Sequence, residues 1–216
     1  ERVMAKTKGT PAPPKEWEQN RQALKQMGDH QVGRELCNLL ASRYKLIYIT
    51  TSEERRVIDC FKLIAAIDNY ELFSWDCSNG MVNLSEQEKV CAPSSEIHSF
   101  PIAAVGWVIE QARGSLTKKS QKDGAIYLFF DIYHPQHMQT DKMIRQLKEF
   151  ASIPSVHSII IISHNFICPQ DLHSDITVVD FPLPSKEEIN RSVSHIVNSA
   201  VAACPNAKKT LDESCD

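Results

Sequence analysis

Paired cysteines are missing from this chain. Its seven Cys (Cys37, Cys60, Cys77, Cys91, Cys168, Cys204 and Cys215) are odd in number and include no Cys-x-x-Cys. That excludes the common zinc-ribbon and dithiol redox spacings and argues for thiols kept reduced inside a cell. Glycine is scarce as well, at seven of 216 residues, which excludes collagen-like and low-complexity chains. No apolar run approaches the roughly 20 residues of a membrane helix, so no membrane span is expected. Positive charge is not in excess: 24 Lys and Arg against 27 Asp and Glu give a formal charge of −3. A strongly basic nucleic-acid binder and a polybasic membrane attachment are therefore both disfavoured. With 42% hydrophobic and 24% charged residues, the chain has the composition of one large globular domain. It opens at Glu1 rather than Met, which fits either a processed protein or a piece of a longer one.

Residues 1–15 are rich in Lys and Pro and read as a flexible arm, and 208–216 read as an acidic tail. Residues 16–207 are expected to form a single domain. Within it, apolar runs alternate with helical patterns. Residues 16–27 and 32–43 look helical, the second with Val32, Leu36, Leu39 and Leu40 on one stripe. Lys45–Thr50 reads as a strand, and Thr51 with Glu54 matches a capping box opening the next helix. Glu71–Asp76 is a second strand, ended by the turn signal Ser78-Asn79-Gly80. Residues 81–100 show no period and read as a loop or insertion. Pro101 opens a helix, and residues 114–124 read as an exposed loop. Residues 125–131, 158–163 and 175–180 give three more strands. A helix at 139–151 follows the third strand, and a last helix follows Ser185, which matches a second capping box with Glu188. Strands that are apolar on both faces and alternate with helices predict an α/β fold. Its parallel sheet of about five strands should be covered by helices on both sides, with right-handed crossovers. The strand order is not legible. Ligands of such folds sit in a crevice at the carboxyl ends of the strands.

The chemistry that goes with this fold is largely missing. A phosphate loop needs Gly-x-x-x-x-Gly-Lys-Ser/Thr after a strand, so that backbone N–H groups cradle the phosphates. Here the first strand runs into Thr51-Ser52-Glu53-Glu54-Arg55-Arg56, with no Gly and with two acids where an anion would otherwise bind. If nucleotide binds at all, the residues to hold it are Thr51, Ser52 and Arg55, with Asp131 at a strand end holding Mg²⁺ through water. The neighbour of Asp131 is Ile132, so the acid that would orient an attacking water is absent. Asp131, His134 and His137 recur every three residues and form a candidate metal set, although Pro135 prevents the spacing from guaranteeing one face. Ser163-His164 beside Asp171 or Asp175 lacks the strained elbow of a nucleophilic serine. Trp75 and Trp107 read as core. Trp17, Arg55 and Arg56 are candidate contacts to a partner protein.

Four stretches resemble one family. Residues 41–57 are similar to its Leu-Ile-Tyr-Ile strand running into a Thr-x-Glu-Glu-x-Arg helix. Residues 72–80 are similar to its Trp-x-x-x-x-Gly strand end, 127–135 to its Leu-x-Asp-Phe-His-Pro segment, and 177–184 with Glu187 and Glu188 to its closing strand. Their order and spacing agree over about residues 34–200 with the uncharacterised AAA-type ATPases of plastids and cyanobacteria (hypothetical chloroplast frame forty-six). The resemblance implies an amino-terminal, degenerate copy of the P-loop-NTPase core that lacks a Walker A motif. The phosphate loop, acidic pair and arginine finger would lie in a second domain further along. Lys45 in place of the family's usual Pro, an enlarged 81–100 and frequent Cys fit a divergent relative. The expectation is a non-catalytic domain with no catalytic residue and no cofactor of its own, docking within a larger assembly or against an active AAA ATPase. The compartment implied is the chloroplast or the cyanobacterial cytoplasm. The alternatives are an ATPase subunit using ATP and Mg²⁺, and a metal-dependent hydrolase.

Overall fold

The structure is a computed structural model that describes residues 22, 30–86, 88–90, 96–114, 124–132, 140–186, 189–190, 193–194 and 196–198. The expected arm and tail lie outside these residues, as do helix 16–27 except residue 22 and the loop 115–123. The elements run α1 (His30–Ala41), β1 (Leu46–Thr50), α2 (Glu54–Ile67), β2 (Tyr70–Asp76), β3 (Gly80–Asn83), β4 (Glu88–Lys89) and α3 (Glu96–Ser99). They continue through α4 (Pro101–Gly114), β5 (Gly124–Phe130), α5 (Thr140–Ser152), β6 (His157–Ser163), a 3₁₀ turn (Gln170–Leu172) and β7 (Ile176–Asp180). Described residues from 186 to 198 are helical, where the last helix was expected.

One seven-stranded sheet holds the molecule together, in the order β4-β3-β2-β5-β6-β1-β7. The five strands legible in the sequence pair in parallel. Successive residues of the central strands β1, β5 and β6 enter opposite cores. Leu46 and Tyr48 join a cluster under α4 and α5 with Trp75, Tyr127 and Phe129. Ile47 and Ile49 join one under α1 and α2 with Phe61, Ile64 and Ile160. This is the two-faced burial that an all-apolar strand requires. From β1 the chain moves toward β2 by way of α2. From β2, β5 and β6 it moves the opposite way, over the other face. Direction and face reverse together, so the crossovers keep one hand.

Of the loop or insertion expected at 81–100, the loop alternative is corrected. The segment holds β3 and β4, which pair antiparallel as an added edge, and the short helix α3. The turn before them is fixed by Asp76, whose carboxylate accepts the N–H of Ser78 and of Asn79, both at 2.8 Å, and by Gly80 at φ 69°. Strands of four and two residues are too short to show a period. Trp75 lies in the core under α4 and α5, and Trp107 packs against it. Trp75 is buried and its indole N–H donates to the Ile97 carbonyl at 2.7 Å. Trp107 meets Phe73 and Tyr127 edge-on. Cys37, Cys77 and Cys168 carry free thiols, and burial, aided by Asp68, pushes Cys37 up to about 11.

Two ends of helices turn without glycine. After α1, Arg43 has φ 61°, with Tyr44 N–H on the Leu39 carbonyl and Arg43 N–H on that of Leu40. That is the pair of bonds of a Schellman end. After α2, Asn69 takes φ 56°, a conformation that Asn tolerates.

Candidate site at the carboxyl rim of the sheet

Three parallel strands bring the site together. β6 lies between β5 and β1, with Phe130 opposite Ile162 and Thr50 opposite Ser163. The residues that follow each strand therefore meet at one rim. Above β1 the chain leaves over one face, and above β6 over the other, so the rim opens between them.

Only Thr51, Ser52 and Glu53 separate β1 from α2. The expected capping box is corrected. The N-cap is Glu53, which makes no side-chain cap bond, and the Thr51 hydroxyl instead accepts the N–H of Glu53 at 3.0 Å. Thr51 is buried, and its own N–H donates to the Ser163 carbonyl. Ser52 and Arg55 are exposed. Arg56 donates to the Pro182 carbonyl at 3.0 Å and lies over the Phe181 ring, tying α2 to the exit of β7.

Asp131 follows β5 in the left-handed region, at φ 51°. Its N–H donates to the Ile162 carbonyl at 3.0 Å, and its carboxylate accepts the Ser163 hydroxyl at 2.8 Å. Asn and Asp tolerate this backbone through their short polar side chains. Glu54, Asp131 and His164 each offer a ligand atom, and these atoms all lie within 4.8 Å of one another. His164 is placed by the loop it opens. The Tyr48 hydroxyl donates to the Asn165 carbonyl at 2.8 Å and accepts the Ile167 N–H at 3.3 Å, while Phe166 packs edge-on against the Tyr48 ring. Burial raises the Tyr48 phenol above its ordinary range.

A cleft of about 800 Å³ adjoins this rim, lined among others by Glu54, Ile58, Trp75, Asp76, Phe130 and Asp131. Of the residues expected at a site, Thr51, Ser52, Arg55, Arg56 and Asp131 are placed along this rim or on the first turn above it. Trp17, His134 and His137 lie outside the described residues. Two further rim residues are Glu54, to which the sequence pattern assigns a capping role and a repulsion of phosphate, and His164, which the sequence offers only as part of a nucleophile set. Strand order was the missing signal, because it alone brings 54, 131 and 164 together.

The model of the "SpoVK-like AAA ATPase, N-terminal domain" matches residues 32–181. An uncharacterized AAA domain-containing protein ycf46 of Trieres chinensis is 31% identical over 186 residues, which cover 84% of this chain and 34% of that protein. Its counterpart in Pyropia yezoensis is 29% identical over 181 residues, covering 77% of this chain and 34% of that protein. The chain thus spans about a third of the length of the curated relatives it matches. Among solved structures, a chain of the E. coli MS115-1 HORMA:CdnC:Trip13 complex is similar at 9% identity and a TM-score of 0.49, over 88% of this chain and 72% of that one. A DNA polymerase III gamma subunit-related protein from Thermotoga maritima is similar at 12% identity and a TM-score of 0.44, over 72% of this chain and 47% of that one.

Proposed function

The chain belongs to the SpoVK-like AAA ATPase N-terminal domain family, and from that premise we propose that it is a non-catalytic member. Its sheet serves as a packing and docking body within a larger assembly, against an active AAA ATPase domain. The observation that carries this reading is the three-residue link from β1 to α2. A triphosphate needs a glycine-bearing loop whose N–H groups converge on it, and a Lys to neutralise it. Here Glu53 stands at the N-cap position and Glu54 in the first turn, which brings carboxylates to the helix end where phosphate oxygens would come. Those acids suit the positive end of the helix dipole by themselves. ATP with Mg²⁺ therefore does not fit this link, and no step of chemistry is drawn through it. The compartment that accompanies this reading is the chloroplast or the cyanobacterial cytoplasm. Among the described residues no helix is long and apolar enough to cross a membrane.

One observation favours an ATPase. Asp131 stands at the end of β5 with its carboxylate oriented by Ser163, as a group that holds a hydrated cation would be. Steady-state ATP hydrolysis by purified protein separates the two readings. The non-catalytic reading expects no turnover above buffer. Turnover that vanishes in Asp131→Ala, with an unchanged circular dichroism spectrum, would establish the ATPase instead.

A further inference from the structure

Glu54, Asp131 and His164 come from three separate elements, the first turn of α2 and the ends of β5 and β6, and converge within 4.8 Å. We propose that these three side chains bind a divalent cation of the zinc class, which clamps α2 to the two central strands.

The donor set selects the ion. An imidazole with two carboxylates suits Zn²⁺ and its first-row neighbours, whereas Mg²⁺ takes oxygen ligands and gives up its waters reluctantly. Three protein ligands leave room for a water to complete a tetrahedron. Two carboxylates also approach one another there, and no Lys or Arg of the described residues forms a salt bridge with either. A ligating carboxylate is ordinarily held by an outer hydrogen bond, which fixes its direction. Asp131 has one from the Ser163 hydroxyl at 2.8 Å. The loop that begins at His164 is likewise pinned by the Tyr48 hydroxyl. The proposal does not rest on the non-catalytic reading, since the metal is titrated without nucleotide and a failure to bind it would leave the ATPase assay unaffected.

The test is titration of untagged, metal-free, reduced protein with Zn²⁺, followed by calorimetry, and with Co²⁺, followed by its visible spectrum. The expected result is one ion per chain, bound at micromolar or tighter affinity. Millimolar Mg²⁺ should not compete, and the Co²⁺ spectrum should show no thiolate charge-transfer band. His164→Ala, Asp131→Asn and Glu54→Gln should each weaken binding at least tenfold. Ser163→Ala, a positioning change, should weaken it about tenfold. Zn²⁺ should raise the melting temperature of the parent protein and leave that of His164→Ala unmoved. The proposal is overturned by the absence of saturable binding below 100-fold molar excess of metal. It is equally overturned by binding that carries a thiolate band and survives His164→Ala, since the ion would then sit on cysteine.

Discussion

The two ends of the same parallel strands have been built differently. At the amino end, polar groups are buried and answer one another. Lys45 donates to the Ser155 carbonyl, to the Ser155 hydroxyl at 3.1 Å and to the His157 carbonyl at 3.4 Å. His157 Nδ1 meets the Tyr127 hydroxyl at 3.1 Å, with the two rings stacked. Burial holds Lys45 down to about 8, with help from Arg43, and holds His157 down to about 4, with help from Lys45. At the carboxyl end, Glu54, Asp131 and His164 gather at the surface, and no Lys or Arg of the described residues forms a salt bridge with either carboxylate. A buried polar network that is satisfied internally fixes the fold. An exposed acidic rim, by contrast, is expected to contribute little to stability.

The sharpest way to break this contrast is at the amino end. A Cβ on Gly124 would lie 1.9 Å from the Val156 carbonyl oxygen and 3.0 Å from the Tyr70 ring. Backbone cannot yield cheaply there, so Gly124→Ala should cost about 3 kcal/mol or more in urea unfolding. A smaller effect comes from acid. Because the folded pKa of His157 lies below the ordinary 6.5, its contribution is complete above about pH 6.5 and is lost as pH falls toward about 4. The loss should be on the order of 1–2 kcal/mol, after allowance for solvent screening. Urea midpoints measured across that window should fall less steeply in His157→Gln than in the parent. Tyr127→Phe removes the partner of the His157 ring and should cost about 1–2 kcal/mol at neutral pH.

The rim should respond least. Glu54→Gln and Asp131→Asn are expected to change unfolding stability by no more than about 0.5 kcal/mol, measured without added metal. Either change shifts the balance toward relief of repulsion, and Asn retains the left-handed backbone that Asp131 needs. If these variants instead unfolded as readily as Gly124→Ala, the rim would be a structural element and the contrast would fail. Arg43→Gly, beside Lys45 at the amino end, should stabilise by about 0.5–1 kcal/mol, because the left-handed position after α1 disfavours a side chain.

How much of this was legible depended on length scale. The five parallel strands are legible because each is a short apolar run rich in strand formers, and the central ones, such as Ile159–Ile162, are buried on both faces. The hairpin of β3 and β4 is not, since four residues and two residues carry no measurable alternation. The Thr51–Glu54 spacing resembled a capping box, yet Thr51 turned inward to Glu53 N–H, a choice made by local backbone geometry that spacing alone does not encode. Asp131 is legible as a candidate because an acid closing an apolar strand is where a nucleotide hydrolase holds Mg²⁺ through water. Its neighbours at the rim are not, because 54, 131 and 164 are distant in sequence and are joined only by the placement of β6 between β5 and β1.

The central claim is that the short acidic link after β1 cannot seat a triphosphate. Isothermal titration of the full chain with ATP in the presence of Mg²⁺ tests it most directly. The expected trace shows no saturable heat up to millimolar nucleotide. A one-to-one isotherm with a micromolar Kd, weakened by substitution at Thr51, Ser52 or Arg55, would contradict it.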